Sequence, residues 1–224
     1  MSPEYPGYGI YDTESTSEWN ILQDAKHIIR HCIETLGYKE ENIILMGRSL
    51  GTGVAAKMGA LFPKVKAIIL ISPYLSIREV ASNKVGWLLA KMVPDIFRTR
   101  DIIDQIKAPI LFIHGLKDTL IPSSSSEYLY ERCTSSAKML RLNKKMEHKN
   151  MDFYPDIIDP LLTFLAENLQ MVEFQEQYKK EKKEENIMQI EDKPGVINLE
   201  NSKGALPAGE GKMLLSKADP TELE

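Results

Sequence analysis

The segment "ILMGRSLGTG", from Ile44 to Gly53, constrains the fold of this chain more than any other. An apolar run ends at Gly47, Ser49 stands between Gly47 and Gly51, and small residues suited to a helix follow. This is the G-x-S-x-G pattern, which places a serine on a sharp turn between a buried strand and a helix. The flanking positions must be glycine because larger side chains would collide with the adjacent strand and helix. Ser49 is therefore either a nucleophile or an ordinary turn residue, and the rest of the chain has to decide between them.

Apolar runs without polar alternation recur along the chain, at residues 42–46, 65–72, 108–115 and 137–142. Helical patterns separate them. Strands of this kind are buried on both faces, so the pattern predicts a mostly parallel sheet with helices on both faces. With 224 residues, 43% of them hydrophobic, the chain can form one domain with a sizeable core. The predicted fold class is α/β.

The first helix is predicted from the segment "STSE" at residues 15–18. It has the pattern of a capping box, with Ser15 as N-cap and Glu18 reaching back to it. His27 and His31 lie four residues apart on this helix, a spacing that suits a metal ion, but no third ligand or HExxH glutamate accompanies them. We therefore expect no metal site there.

A serine nucleophile needs a base, and the base needs an acid that orients it. His148 lies in a polar loop after the last strand, whereas His114 lies in or at the end of a strand and is expected to be structural. Asp118 directly follows the third strand. The order Ser49, Asp118, His148 is the chain order of the α/β-hydrolase triad, with each residue at the carboxyl edge of the sheet. In this arrangement the backbone N–H of Leu50 is free to bind an oxyanion.

Two segments have more than one interpretation. Residues 73–108 are longer than a plain crossover and rich in apolar side chains, which fits either packing over the sheet or a small apolar helical lid over a pocket. From residue 173 the composition becomes charged and nearly free of core residues. We expect a hydrolase domain over residues 1–172 and a disordered tail over 173–224, with partner binding as the alternative role of the tail.

Composition limits the function classes. The net charge is -4 and no basic stripe with interleaved aromatics occurs, so nucleic acid is not an expected partner. No apolar run reaches the ~20 residues that a transmembrane helix needs, and "MSPEYPGYGIY" at the N-terminus lacks the features of a signal peptide. Cys32 and Cys133 are isolated in sequence and are expected to be reduced thiols. These features predict a cytoplasmic protein.

The chain resembles the α/β-hydrolase-domain serine hydrolases, particularly the branch of bud-emergence-type proteins and peripheral-membrane protein depalmitoylases. The matching stretches are "EYPGYGIYDTESTSEWN", "ENIILMGRSLGTG", "AIILISPYLS", "APILFIHGLKDTLIP" and "ERC". The resemblance implies Ser49 as nucleophile, Asp118 as orienting acid and His148 as base, with no metal or organic cofactor. It also implies an acyl-enzyme mechanism on esters or thioesters, including thioesters of lipidated proteins, with peripheral membrane contact. One departure is Lys149, which stands where family members often have asparagine directly after the histidine.

The resemblance also implies that the N-terminal part of the domain has no counterpart here. In the family the "Y-x-G-Y-G" segment follows the fourth strand, but here it begins at residue 5. The first three strands, and the loop that supplies a second oxyanion N–H, would then be absent, leaving the strand at 42–46 as an open apolar edge. Three explanations compete: a truncated hydrolase, a shortened and inactive binding or scaffold protein, and a chain completed by a partner. The intact triad favours the first.

Overall fold

The structure is a computed structural model that describes residues 1–9, 16–169, 176, 177, 179–181 and 183. The chain divides into two compact units, Met1–Tyr178 and Lys179–Glu224. In the second unit the described residues, 179–181 and 183, are helical. The predicted tail lies almost entirely outside the described residues, and its boundary near residue 172 stays a prediction.

Four parallel strands form one sheet in the order β1-β2-β3-β4. Their bounds are Ile44–Arg48 for β1, Ala67–Ile71 for β2, Ile110–Gly115 for β3 and Lys138–Asn143 for β4. Each begins and ends within two residues of its predicted position. The predicted parallel α/β architecture is confirmed.

Helices connect the strands and cover both faces of the sheet. They are α1 (Glu18–Arg30), α2 (Leu50–Leu61), α3 (Ile77–Val85), α4 (Trp87–Ala90), α5 (Ser124–Arg132) and α6 (Asp159–Leu169). π-helical turns extend α1 over His31–Thr35 and precede α6 over Phe153–Ile158. Short 3₁₀ turns cover Glu40–Asn42, Thr99–Asp101 and Ile103–Gln105. Within the described part of the chain, no helix is long and apolar enough to cross a membrane.

The core lies on both sides of β2 and β3, because successive side chains of a strand point to opposite faces. Ile68 and Leu70 pack with residues of α2 and α5. Ile69 and Ile71 pack with residues of α6 on the other face. Burying each such side chain stabilises the fold by about 1.5–3 kcal/mol. This two-sided burial explains why the strands read as continuous apolar runs.

β1 is the edge strand of the sheet and pairs only with β2 among the described strands. Ile44 and Met46 are 40% and 53% exposed, respectively. The open apolar edge that the family resemblance implied is therefore present in the structure.

The start of α1 differs from the prediction. Ser17 is the N-cap, and its hydroxyl accepts a hydrogen bond from the N–H of Asn20 at 3.1 Å. Assigning this role to Ser15, which lies outside the described residues, was wrong. Glu18 does not close a capping box. Its carboxylate instead accepts a hydrogen bond from the backbone N–H of Phe97 at 2.7 Å, so it ties α1 to the connection after β2.

The connection at 73–108 contains residues that pack over the sheet and others that are exposed. Tyr74 and Phe97 are buried and pack with residues of α1 and α2. The outer residues of α3 and α4 are exposed instead, including Trp87 at 68%. The segment is therefore partly a packing element with an exposed apolar surface, and a lid over a pocket stays a prediction.

Candidate active site

Ser49 occupies a strained turn between β1 and α2. Its φ of 49° and ψ of −119° lie in a region that residues other than glycine rarely adopt. The N–H of Ser49 donates to the carbonyl of Ile71 at 2.9 Å, and the carbonyl of Ser49 accepts from both the N–H and the hydroxyl of Thr52 at 2.9 and 2.6 Å. The surrounding hydrogen bonds therefore hold the strained conformation in place.

Close approach of strand and helix requires glycine at position 47, whereas position 51 has more space. A Cβ on Gly47 would collide with the carbonyl group of Gly51, and a Cβ on Gly51 would lie 3.3 Å from the hydroxyl of Tyr5. Backbone atoms cannot move aside as the end of a flexible side chain can. The requirement for glycine at position 47 thus follows from the packing of α2 directly against the end of β1.

Asp118 lies in the loop after β3, and its side chain is fully buried. One carboxylate oxygen, Oδ1, accepts from the N–H groups of Leu120 and Ile121, both at 2.9 Å. The other, Oδ2, lies 2.8 Å from Nδ1 of His148. Burial acts to raise the pKa of Asp118, but the hydrogen bonds from Ile121, His148 and Leu120 outweigh it and hold this pKa below its ordinary value. The group is a carboxylate at neutral pH.

The contact with Asp118 fixes the tautomer of His148. A carboxylate only accepts hydrogen bonds, so we assign the donated proton to Nδ1. In the neutral ring, Nε2 then carries the lone pair and can accept a proton. The side chain is 13% exposed, so it is held by the protein and remains open to a reactant. This is the geometry of a histidine base oriented by an acid.

Arg48 links the His148 loop to the strand that precedes Ser49. Its guanidinium Nη2 donates to the backbone carbonyl of His148 at 2.5 Å. Among the residues that the structure describes, Ser49 itself makes no hydrogen bond with His148. The Ser49 turn and the His148 loop are therefore linked by the hydrogen bond of Arg48, a residue that was not predicted to belong to the site. Its position inside G-x-S-x-G is the only signal that could have indicated it.

Leu50 is the first residue of α2, so its N–H has no partner within the helix. The carbonyl of Leu50 accepts a hydrogen bond from the hydroxyl of the buried Tyr74 at 3.1 Å. Burial raises the pKa of Tyr74, so the hydroxyl remains a donor. Tyr74 thereby fixes the start of the helix beside Ser49, an arrangement that leaves the Leu50 N–H available to an anion.

His114 is buried behind Asp118 and has partners for both ring nitrogens. Nε2 lies 2.9 Å from the carbonyl of Ile121, which can only accept, and Nδ1 lies 2.6 Å from the hydroxyl of Ser126. Nε2 also lies 3.4 Å from Oδ2 of Asp118. Burial lowers the pKa of His114, which stays neutral. Its ring therefore supports the loop that carries Asp118, in keeping with the structural role expected for it.

His27 and His31 are both exposed, on α1 and its π-helical extension. Within the described ranges no group of three or more His, Cys, Asp or Glu side chains is arranged to hold a metal ion. A cavity of about 170 Å³ is lined by residues that include Glu18, Lys57 and Phe97. Ser49, Asp118 and His148 are not among the residues that line this cavity, so the cavity is distinct from the candidate site.

A family comparison gives this arrangement its context. The family described as Serine hydrolase (FSH1) matches residues 12–150, a range that contains the turn at Ser49, the Asp118 loop and His148. The chain belongs to this serine hydrolase family. The resemblance inferred from the sequence motifs is confirmed at this level.

Sequence relatives of this chain are α/β-hydrolase-domain proteins. Alpha/beta hydrolase domain-containing protein 17C of Xenopus tropicalis is 30% identical over 170 residues, covering 75% of this chain and 53% of the relative. Protein 17B of Homo sapiens is 29% identical over 171 residues, covering 75% of this chain and 57% of the relative. The chain thus spans about half the length of the curated relatives it matches.

Solved structures support the fold assignment. The chain is similar to mouse alpha/beta hydrolase domain-containing protein 10, with a TM-score of 0.52, 17% identity and coverage of 76% of each chain. It is also similar to acetyl xylan esterase 1 from Thermoanaerobacterium, with a TM-score of 0.53, 20% identity, and coverage of 66% of this chain and 52% of the esterase. At these identities the likeness shows the α/β-hydrolase fold alone.

Proposed function

We propose that this chain carries the catalytic residues of a serine hydrolase that cleaves esters or thioesters through an acyl-enzyme. Ser49 is the nucleophile, His148 the base and Asp118 the acid that orients it. The observation that carries the proposal is the 2.8 Å contact between Asp118 Oδ2 and His148 Nδ1, at the same sheet edge as the strained turn of Ser49. Membership of the serine hydrolase family supports it.

In the first step the hydroxyl oxygen of Ser49 attacks the substrate carbonyl carbon, and its proton passes to Nε2 of His148. Asp118 stabilises the imidazolium that results. The N–H of Leu50 donates to the oxyanion of the tetrahedral intermediate. As the intermediate collapses, the bond to the alcohol or thiol breaks, and the leaving group takes the proton from Nε2.

In the second step water attacks the acyl-enzyme, again with His148 as base. The tetrahedral intermediate releases the carboxylic acid and returns the proton to Ser49. All proton transfers run through one imidazole, so the chain's own residues complete the cycle without a metal ion or organic cofactor.

For the substrate we propose an apolar acyl group on oxygen or sulfur. The apolar side chains of the 73–108 segment near the Asp118 loop suit such a chain. The resemblance to peripheral-membrane protein depalmitoylases adds thioesters of lipidated proteins to this class. A thioester also has a good leaving group, so it depends less than an amide on protonation by His148.

Covalent labelling with a fluorophosphonate tests the proposal directly, because the reagent reacts only with a serine that a base has activated. We expect labelling on the peptide that contains Ser49, and its loss in Ser49→Ala and His148→Ala. Ser72→Ala is the matched control. Ser72 also has a positive φ, of 51°, and follows the neighbouring strand β2, but it is 1% exposed.

Two results would contradict the proposal. Labelling that persists in Ser49→Ala would assign the reactive serine elsewhere. A folded chain that stays unlabelled even when an added N-terminal part of the domain supplies the second oxyanion N–H would favour the alternative, a hydrolase-like binding or scaffold protein without catalysis.

A further inference from the structure

The region around α4 carries a surface patch of exposed apolar side chains, which we call the α4 patch. Its members are Val85, Trp87, Leu88, Leu89 and Met92, which are 51%, 68%, 63%, 56% and 84% exposed. All five lie within eight consecutive residues, at the end of α3, in α4 and just after it. A patch of this kind on a protein surface generally marks an interaction site.

The local backbone presents the α4 patch outward. Gly86 has a φ of 82°, which ends α3 and redirects the chain into α4, and nothing lies within 4 Å of a Cβ placed on it. Ala90 is only 2% exposed and anchors the turn to the domain. The bulky residues around this buried alanine therefore project into solvent, because the anchor uses the small side chain and not the large ones.

The charged residues within the α4 patch are all positive, and the acidic residues that flank it, Glu79 and Asp95, are paired with arginines. Between Val80 and Pro94 there are two lysines, Lys84 and Lys91, and no acidic residue, although the whole chain has a net charge of -4. The ammonium group of Lys91 lies 4.6 Å from the centre of the Trp87 ring. The ammonium group of Lys84 is exposed and donates to the carbonyl of Thr119 at 3.1 Å. Both cations thus border the apolar surface.

Tryptophan, leucine and methionine beside lysines, without acidic residues, match the chemistry of an anionic bilayer surface. The apolar side chains enter the boundary of headgroups and acyl chains, tryptophan is favoured at that depth, and lysines attract anionic headgroups. We propose that the α4 patch docks this chain onto an anionic phospholipid bilayer.

The docking surface lies close to the candidate active site. The contact of Lys84 with Thr119 joins the end of α3 to the loop that carries Asp118. A bilayer bound at the α4 patch would therefore bring acyl chains to the side of the domain where hydrolysis is proposed. Docking itself needs no chemistry, so Ser49→Ala should bind vesicles as well as the unmodified chain does. This variant separates the docking proposal from the proposed hydrolysis.

The two tryptophans of the chain, Trp19 and Trp87, provide a built-in test, since they are 69% and 68% exposed. In the Trp19→Phe variant all tryptophan fluorescence comes from Trp87, and in the Trp87→Phe variant all of it comes from Trp19. With phosphatidylcholine vesicles containing phosphatidylserine, we expect a blue shift of Trp87 emission and quenching by brominated lipid. Trp19 emission should not change. A shift of Trp19 without one of Trp87 would overturn the proposal.

Vesicle co-sedimentation of the full chain measures how much the apolar residues and the lysines of the α4 patch each contribute to vesicle binding. Replacing Leu88 and Leu89 together by serine should weaken binding about tenfold or more, because two large apolar side chains no longer leave water. The matched control replaces Leu36 and Leu61, both 48% exposed and outside the α4 patch, by serine and should bind normally. All four leucines are exposed, so folding is preserved.

Lys84→Gln and Lys91→Gln should each weaken binding to the anionic vesicles about fivefold and leave binding to pure phosphatidylcholine vesicles unchanged. Lys39→Gln and Lys64→Gln, at exposed positions elsewhere, should have no such effect. Unchanged binding after replacement of Leu88 and Leu89 would overturn the proposal. A second result would also overturn the proposal: the chain forms a dimer, does not bind vesicles, and becomes a monomer when Leu88 and Leu89 are replaced. The α4 patch would then contact a second copy of the chain.

Discussion

Arg48 donates a hydrogen bond of 2.5 Å to the backbone carbonyl of His148, although 100 residues separate them in sequence. This contact joins the strand that leads into Ser49 to the loop that carries the proposed base. Because the histidine ring also bonds Asp118, its loop is held at two points, one on the backbone and one on the side chain. The first prediction follows from this relationship.

Arg48→Gln should lower ester turnover about tenfold, since loss of a hydrogen bond from a charged donor lets the His148 loop move. Thermal stability should change little, because the residue is exposed. Steady-state kinetics on an activated ester, with Arg30→Gln on α1 as control, measures the effect. Equal activity of the two variants would show that the Arg48 contact does not position the base.

Asp118→Asn should reduce turnover by about 10⁴, because an amide can present its N–H₂ group to Nδ1 and stabilise the wrong tautomer of His148. Turnover at the unmodified rate would remove Asp118 from the proposed triad. His27→Ala and His31→Ala serve as controls, and both should stay within a few-fold of the unmodified chain. A large loss in either control would revive a metal site on α1.

Gly47→Ala should destabilise the fold by about 3 kcal/mol or more and abolish labelling of Ser49, because the added methyl group would meet the Gly51 backbone. Gly37→Ala is the control. Gly37, unlike Gly47, has a positive φ, of 73°, but nothing lies within 4 Å of an added Cβ, so we expect a cost of about 1–2 kcal/mol and normal labelling. Chemical denaturation measures both. A Gly47→Ala chain as stable as Gly37→Ala would disprove the tight contact.

The free energy of unfolding should fall as the pH drops below about 6.5. The pKa of His114 is lowered from 6.5 in the folded chain, so below that pH the unfolded chain binds a proton that the folded chain resists. The slope from this group is at most about 1.4 kcal/mol per pH unit. Asp118, whose pKa is also lowered, adds a second loss as the pH falls below its ordinary value of 3.8.

Denaturation curves of His114→Gln against pH check the assignment. This variant should lose the slope that begins below about pH 6.5 and keep the one below pH 3.8, since the buried carboxylate of Asp118 is unchanged. His27→Gln, at an exposed position, should keep both. A slope unchanged in His114→Gln would place the responsible group elsewhere.

Local sequence patterns predicted the elements of this fold well. The central strands β2 and β3 are apolar runs, and burial on both faces is enough to specify such runs. The turn at Ser49 could also be predicted, because strand and helix pack so closely at Gly47 that no side chain fits there. The first helix was predicted correctly, but its N-cap was placed two residues early, since Ser15 and Ser17 are equivalent by type.

The sequence by itself thus determined the α/β class, the strand positions, the order of Ser49, Asp118 and His148, and the family. These properties depend on short-range periodicity and on motifs of a few residues. Only the tertiary structure decided that Arg48 reaches the carbonyl of His148, and that Asp118 shares its oxygens between two backbone N–H groups and one imidazole. It also decided which apolar residues of the 73–108 segment are buried, as Tyr74 is, and which face solvent, as Trp87 does. The physical reason is that hydrogen bonds and burial depend on distances between residues remote in sequence. Those distances are set only when the sheet and helices pack.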